Sequence, residues 1–76
     1  MKTGDSIRVI TFPADSVDGA VAITATGTQT LHYEEQNLGE YGIGWVVVTK
    51  NGVEAERHNI RFLESIVLNP PQQIQP

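Results

Sequence analysis

The sequence predicts an all-β domain, a small barrel of about five antiparallel strands with one short helical turn near residues 59–63. Three observations predict it. Asn51-Gly52 sits between two strand-like segments, and Asn-Gly is the pair that adopts positive φ at both centres of a type I′ turn at least steric cost. Residues 5–12 alternate in polarity as a half-buried strand does. The rest of the chain is a series of short β-branched runs separated by Gly, Pro, Asn and Asp.

Within residues 5–12 the alternation places Ile7 and Val9 on one face, with Arg8 and Ile10 on the other; Phe12 joins the Arg8 side unless a bulge intervenes. Residues 13–19 form a loop by composition. Residues 20–26 read as a strand with Val21 and Ile23 pointing one way, and Gly27-Thr28 as its turn. Residues 29–38 admit two readings. As a strand, Leu31 and Tyr33 share one face and His32 and Glu34 the other. As a helix, Thr28 or Thr30 caps and Gly39 stops it. Two leucines make a thin helical stripe, which favours the strand.

Residues 39–44 hold three glycines in the spacing G-x-x-G-x-G. A dinucleotide cradle needs G-x-G-x-x-G before a helix, whereas this segment precedes a strand. It reads as a turn entering the hairpin. A two-residue loop at Asn51-Gly52 then fixes register. Lys50 faces Val53, Thr49 faces Glu54, Val48 faces Ala55, Val47 faces Glu56, Val46 faces Arg57 and Trp45 faces His58. One surface is apolar (Val46, Val48, Val53, Ala55). The other is mixed (Trp45, Val47, Thr49, Glu54, Glu56, His58). Asn59 can cap a single helical turn, and a last strand follows over residues 64–68. Residues 1–68 thus form one domain, and the polar, proline-rich residues 69–76 a flexible tail.

The opener Gly4-Asp5-Ser6-Ile7-Arg8-Val9 and the closing Phe62-Leu63-Glu64-Ser65-Ile66 resemble the two ends of SH3-like small barrels. The likeness covers about a dozen residues at the chain ends. It implies the barrel class but no single activity, because one fold hosts many functions. KOW modules of this class are usually more basic than this chain. Small plasmid-type dihydrofolate reductases carry a Val-Gln-Ile-Tyr signature that Asn59-Ile60-Arg61-Phe62 does not match, so their activity is not carried over.

A chain of 76 residues has room for one core and buries only about 60% of its unfolded surface. Cysteine is absent, which removes disulfides and zinc–thiolate sites as staples. Self-association is the remaining route favoured. No apolar leader-like run or membrane-length segment occurs, so the cytoplasm is the default expectation for its location. The formal charge is −4, with nine acidic and five basic side chains. Phosphate neutralisation dominates nucleic-acid affinity, so this balance works against it.

Four constellations bear on function. Glu54, Glu56 and His58 at period two, with His32 and Glu34 on a neighbouring strand, are a conceivable divalent-metal set. A solvated strand face is the commoner outcome of that pattern. No serine has a nucleophile-elbow setting, and adjacent carboxylates such as Glu34 and Glu35 point to opposite faces of a strand. The reading is therefore non-catalytic, without cofactor or metal. Tyr33, Tyr41, Trp45 and Phe62 with nearby arginines resemble a stacking platform, although Phe62 and Tyr33 fit the core as well. The leading expectation is a protein-interaction or structural module that binds itself or another protein, with Trp45, Tyr41, Val47 and His58 near the contact surface. His58 beside Trp45 would make that contact pH-sensitive. The alternative is a nucleic-acid-binding barrel using Arg57, Arg61 and Lys50. A third is a ligand or catalytic pocket formed between subunits.

Overall fold

A computed structural model describes residues 1–14 and 22–70. Six antiparallel strands occur there: β1 Ser6–Thr11, β2 Ala22–Thr24, β3 Gln29–Leu38, β4 Tyr41–Lys50, β5 Val53–Asn59 and β6 Ser65–Leu68. A 3₁₀ turn, Ile60–Phe62, separates the last two. The sheet runs β2-β1-β3-β4-β5, and β6 lies on the opposite edge of β1 from β2. It curls into an all-β half-barrel. Among the described residues no helix is long and apolar enough to cross a membrane.

Two tight turns build the central meander. Asn51 and Gly52 have φ of 53° and 82°, the type I′ geometry expected of Asn-Gly. Gly39 has φ of 68° while Glu40 stays in the ordinary half of the map, so β3 and β4 are joined by a second two-residue turn of type II′ character. Tyr41–Gly44 is therefore strand rather than turn. Residues 29–38 are strand throughout and pair with all of β4, from Gln29↔Lys50 to Leu38↔Tyr41. Asn51→Ala is expected to cost about 1 kcal/mol, because alanine tolerates left-handed backbone poorly. Chemical denaturation of the variant checks it, and an unchanged midpoint would contradict the turn assignment.

The core consists of Ile7, Ile10, Leu31, Tyr33, Val46 and Val48, with Phe12, Ile23, Ile60, Leu63 and Ile66 packed against it. Directly paired residues share a face. Ile10 pairs with Ile23 on one side and Ile66 on the other, a row of isoleucines across three strands.

Two expected patterns fail, both through a bulge. The β1–β6 register shifts between Ile7 and Val9. That one-residue slip puts Ile7 and Ile10 on the same inner face, where alternation separates them. Phe12 then turns inward as well. The β4–β5 register shifts between Val48 and Thr49. Lys50↔Val53 and Thr49↔Glu54 hold, but beyond them Val48 faces Glu56, Val47 faces Arg57, Val46 faces His58 and Trp45 faces Asn59. Ala55, the extra residue, is exposed, as is Val53 at the far end of the hairpin. Phe62, a core candidate, is also exposed, whereas Leu63 and Ile66 supply the packing at that end.

The 3₁₀ turn forms where Asn59 predicts it. The Asn59 side chain accepts a hydrogen bond from the Arg61 N–H at 3.0 Å, satisfying a donor the turn leaves open. Asn69 remains tied to the domain: its N–H donates to the Ser6 carbonyl at 3.0 Å, and its Nδ2 donates to Ser6 Oγ at 2.6 Å. The expected tail beyond Pro70, and the loop and strand start expected over residues 15–21, lie outside the described residues.

Candidate functional site

The β4–β5 bulge decides what each face of the hairpin carries. On the outer face, Arg57 lies beside Trp45, its guanidinium carbon 5.9 Å from the ring centroid. Arg57 Nε and Nη2 donate to the Glu54 carboxylate at 3.2 and 2.9 Å, and Nη2 also donates to Glu34 Oε2 at 3.2 Å. Trp45 Nε1 donates to Gln36 Oε1 at 3.3 Å. Val47, paired with Arg57 on one side and His32 on the other, is only 2% exposed although it faces away from the core. The arginine side chain thus caps an apolar spot on a solvent-facing sheet surface.

These contacts set the charges. The hydrogen bonds from Arg57 hold the Glu54 carboxyl below its ordinary value of 4.5; desolvation opposes this, and the charges of Arg57 and His32 add to it. Hydrogen bonding to Glu54 raises Arg57 in turn. A carboxyl with a lowered folded-state pKa stabilises the fold above its unfolded pKa, and that contribution is lost as pH falls through the folded value. Arg57→Gln is expected to melt below the wild type at pH 7, with the gap closing as pH falls below 4.5. Thermal melts from pH 7 to 3 check this; a gap constant with pH would contradict the ion pair.

On the inner face, the His58 ring meets Phe12 edge-on with centroids 5.1 Å apart, and Nε2 lies 2.9 Å from Glu56 Oε1. His58 is therefore on the opposite surface from Trp45, and the juxtaposition expected to make a Trp45 contact pH-sensitive does not form. The same slip divides the conceivable metal set: Glu34, Glu54 and His32 belong to the outer face, Glu56 and His58 to the inner one.

Of the four expected interface residues, Trp45 and Val47 are neighbours on the outer face, Val47 is already covered, His58 is on the other side, and Tyr41 stands alone at the far end of β4. The three expected phosphate contacts are spread out. Arg57 is engaged by two carboxylates. Lys50 and Arg61 sit at opposite ends of β5, roughly 20 Å apart at strand rise.

A further feature lies at the end of the β3–β4 hairpin. β5 pairs with β4 only as far as Trp45, so the β4 edge over Tyr41–Gly44 has no strand beside it. An open cleft of about 680 Å³ runs along that edge, lined among others by Leu38, Tyr41, Gly42, Gly44, Ile60 and Arg61. Two of its lining positions, Gly42 and Gly44, are glycines. At Gly44 a Cβ would stand 2.7 Å from both Tyr33 Oη and Ile60 Cδ1, so glycine is required there. Glycines inside a strand are the signal for such a place, since they mark close approach of other groups.

No family model matches the chain, and neither does any curated protein or solved structure.

Proposed function

We propose that this domain is a small SH3-like barrel acting as a protein-interaction module, and that its first partner is itself. Support for the barrel class comes from strand order: β1 holds β6 on one edge and β2 and β3 on the other, and a 3₁₀ turn precedes the final strand. The observation that carries the functional reading is the pair of exposed apolar side chains, Leu38 and Tyr41, on the cleft beside the open β4 edge. Tyr41 is 74% exposed and Leu38 49%, both on the cleft, and Phe62, next to Arg61 in the 3₁₀ turn, is 70% exposed. Exposed apolar surface beside an open strand edge is what association buries.

A domain of this size also gains stability by association, since one small core supplies only a few kcal/mol. Sedimentation equilibrium from micromolar to millimolar chain tests the proposal. A mass rising with concentration is expected; a monomer over the whole range would contradict it.

A further inference from the structure

Resting on that self-association reading, we infer which surface joins the copies: the open β4 edge at Tyr41–Ile43 pairs antiparallel with the same edge of a second copy, across a two-fold axis at Gly42.

The argument begins with how the strand edges are protected. An unpaired edge is a template for another chain unless charge, proline, a bulge or short length blunts it. The outer edge of β5 carries Glu54, Glu56 and Arg57 together with the bulge opposite Val48. β6 is only four residues long. On the β3 side of the hairpin end lie Gln36 and Asn37, both polar. Tyr41-Gly42-Ile43-Gly44 has no charge, proline or bulge, and it pairs continuously with β3 on its other side. The 3₁₀ turn packs against β4 beside Gly44, so the part of this edge left without such a guard is Tyr41–Ile43.

Backbone direction makes Gly42 the centre. Leu38 and Tyr41 close a two-residue turn, and such a closing pair exchanges its hydrogen bonds across the hairpin. Alternate residues of β4 then present N–H and C=O to opposite edges, and Gly42 presents its pair outward. With Gly42 facing Gly42 of the second copy, two hydrogen bonds form on the axis and no side chain stands in the way. Tyr41 of each copy falls opposite Ile43 of the other, an aromatic–β-branched pair.

Charge selects the same arrangement. In that register Glu40 comes to the Gly44 end of the second copy's edge, where Ile60, the neighbour of Arg61, packs. Arg61 is the charged residue lining the cleft. The two-fold operation therefore brings each Glu40 to the Arg61 end of the other copy, giving two equivalent opposite-charge contacts in a chain whose net charge of −4 otherwise opposes association.

The test uses sedimentation equilibrium with three kinds of variant. Gly42→Pro removes the outward N–H and is compatible with an edge position; a Cβ there meets only the mobile end of the Glu35 side chain. Its association constant is expected to fall roughly tenfold or more, with the circular dichroism spectrum of the monomer unchanged. Glu40→Arg and Arg61→Glu should each weaken association roughly three- to tenfold, and the double variant should recover it. Recovery is a readout that misfolding does not produce. Self-association of the wild type that survives all these changes would overturn this surface while leaving the interaction reading intact. A wild type that remains monomeric would overturn both.

Discussion

Gly44→Val is expected to destabilise the domain by about 3 kcal/mol, at the upper end of what overpacking a well-filled site costs. The cause is local and rigid. Tyr33 is buried, and its Oη and Cε1 would lie 2.7 and 2.9 Å from the new Cβ, with Ile60 Cδ1 at 2.7 Å on the other flank. Neither neighbour can withdraw without leaving the core or tearing the 3₁₀ turn from the sheet. Gly42→Ala is the matched control. Its Cβ meets only Glu35 Oε1 at 2.6 Å, at the end of a flexible exposed side chain, and a cost below about 0.5 kcal/mol is expected. Urea titrations of the two variants check the contrast. Equal losses would mean that Tyr33 and Ile60 do not close over Gly44.

Ile10→Ala is expected to cost about 2–5 kcal/mol, the range for removing a buried isoleucine side chain to Cβ. Ile10 is fully buried one residue from the end of β1, the strand that holds both β2 and β6 in place. The loss opens a cavity between Ile23 and Ile66 and loosens three strands together. A domain of 76 residues has roughly 4–11 kcal/mol of total stability. The variant is thus expected to melt about 8 °C or more lower, at the usual 4–8 °C per kcal/mol for this size. Arg8, two residues away and exposed, provides the comparison: Arg8→Ala should leave the melting temperature within a few degrees. A small effect at Ile10 would contradict the bulge that turns it inward.

The all-β class, the Asn51-Gly52 turn, the cap at Asn59 and the strand over residues 29–38 were legible because each rests on local chemistry: positive φ, a side-chain acceptor, period-two polarity. Register was not. A bulge inserts one residue without a compositional mark, and here nothing at Arg8 or Ala55 distinguishes the extra residue. Because side chains alternate faces, each slip exchanged every residue beyond it. That is why Ile10 rather than Val9 accompanies Ile7, why Arg57 rather than His58 lies beside Trp45, and why His58 meets Phe12.

The hairpin end was misread for a different reason. Three glycines in six residues look like loop, yet Gly39 alone makes the turn, while Gly42 and Gly44 are strand positions kept bare by Glu35, Tyr33 and Ile60. Only the fold shows which side chains cross over a glycine. Because β5 pairs with β4 only as far as Trp45, the β4 edge beyond is open beside the cleft, and with it the surface assigned to self-association.

A dilution series of two-dimensional amide spectra, from millimolar to micromolar chain, tests that assignment most directly. Peak movements are predicted for Tyr41–Gly44 and for Ile60–Phe62, while Glu54–Arg57 on the charged, bulged edge stay fixed. Spectra that do not change with concentration, or movements centred on Glu54–Arg57, would contradict it.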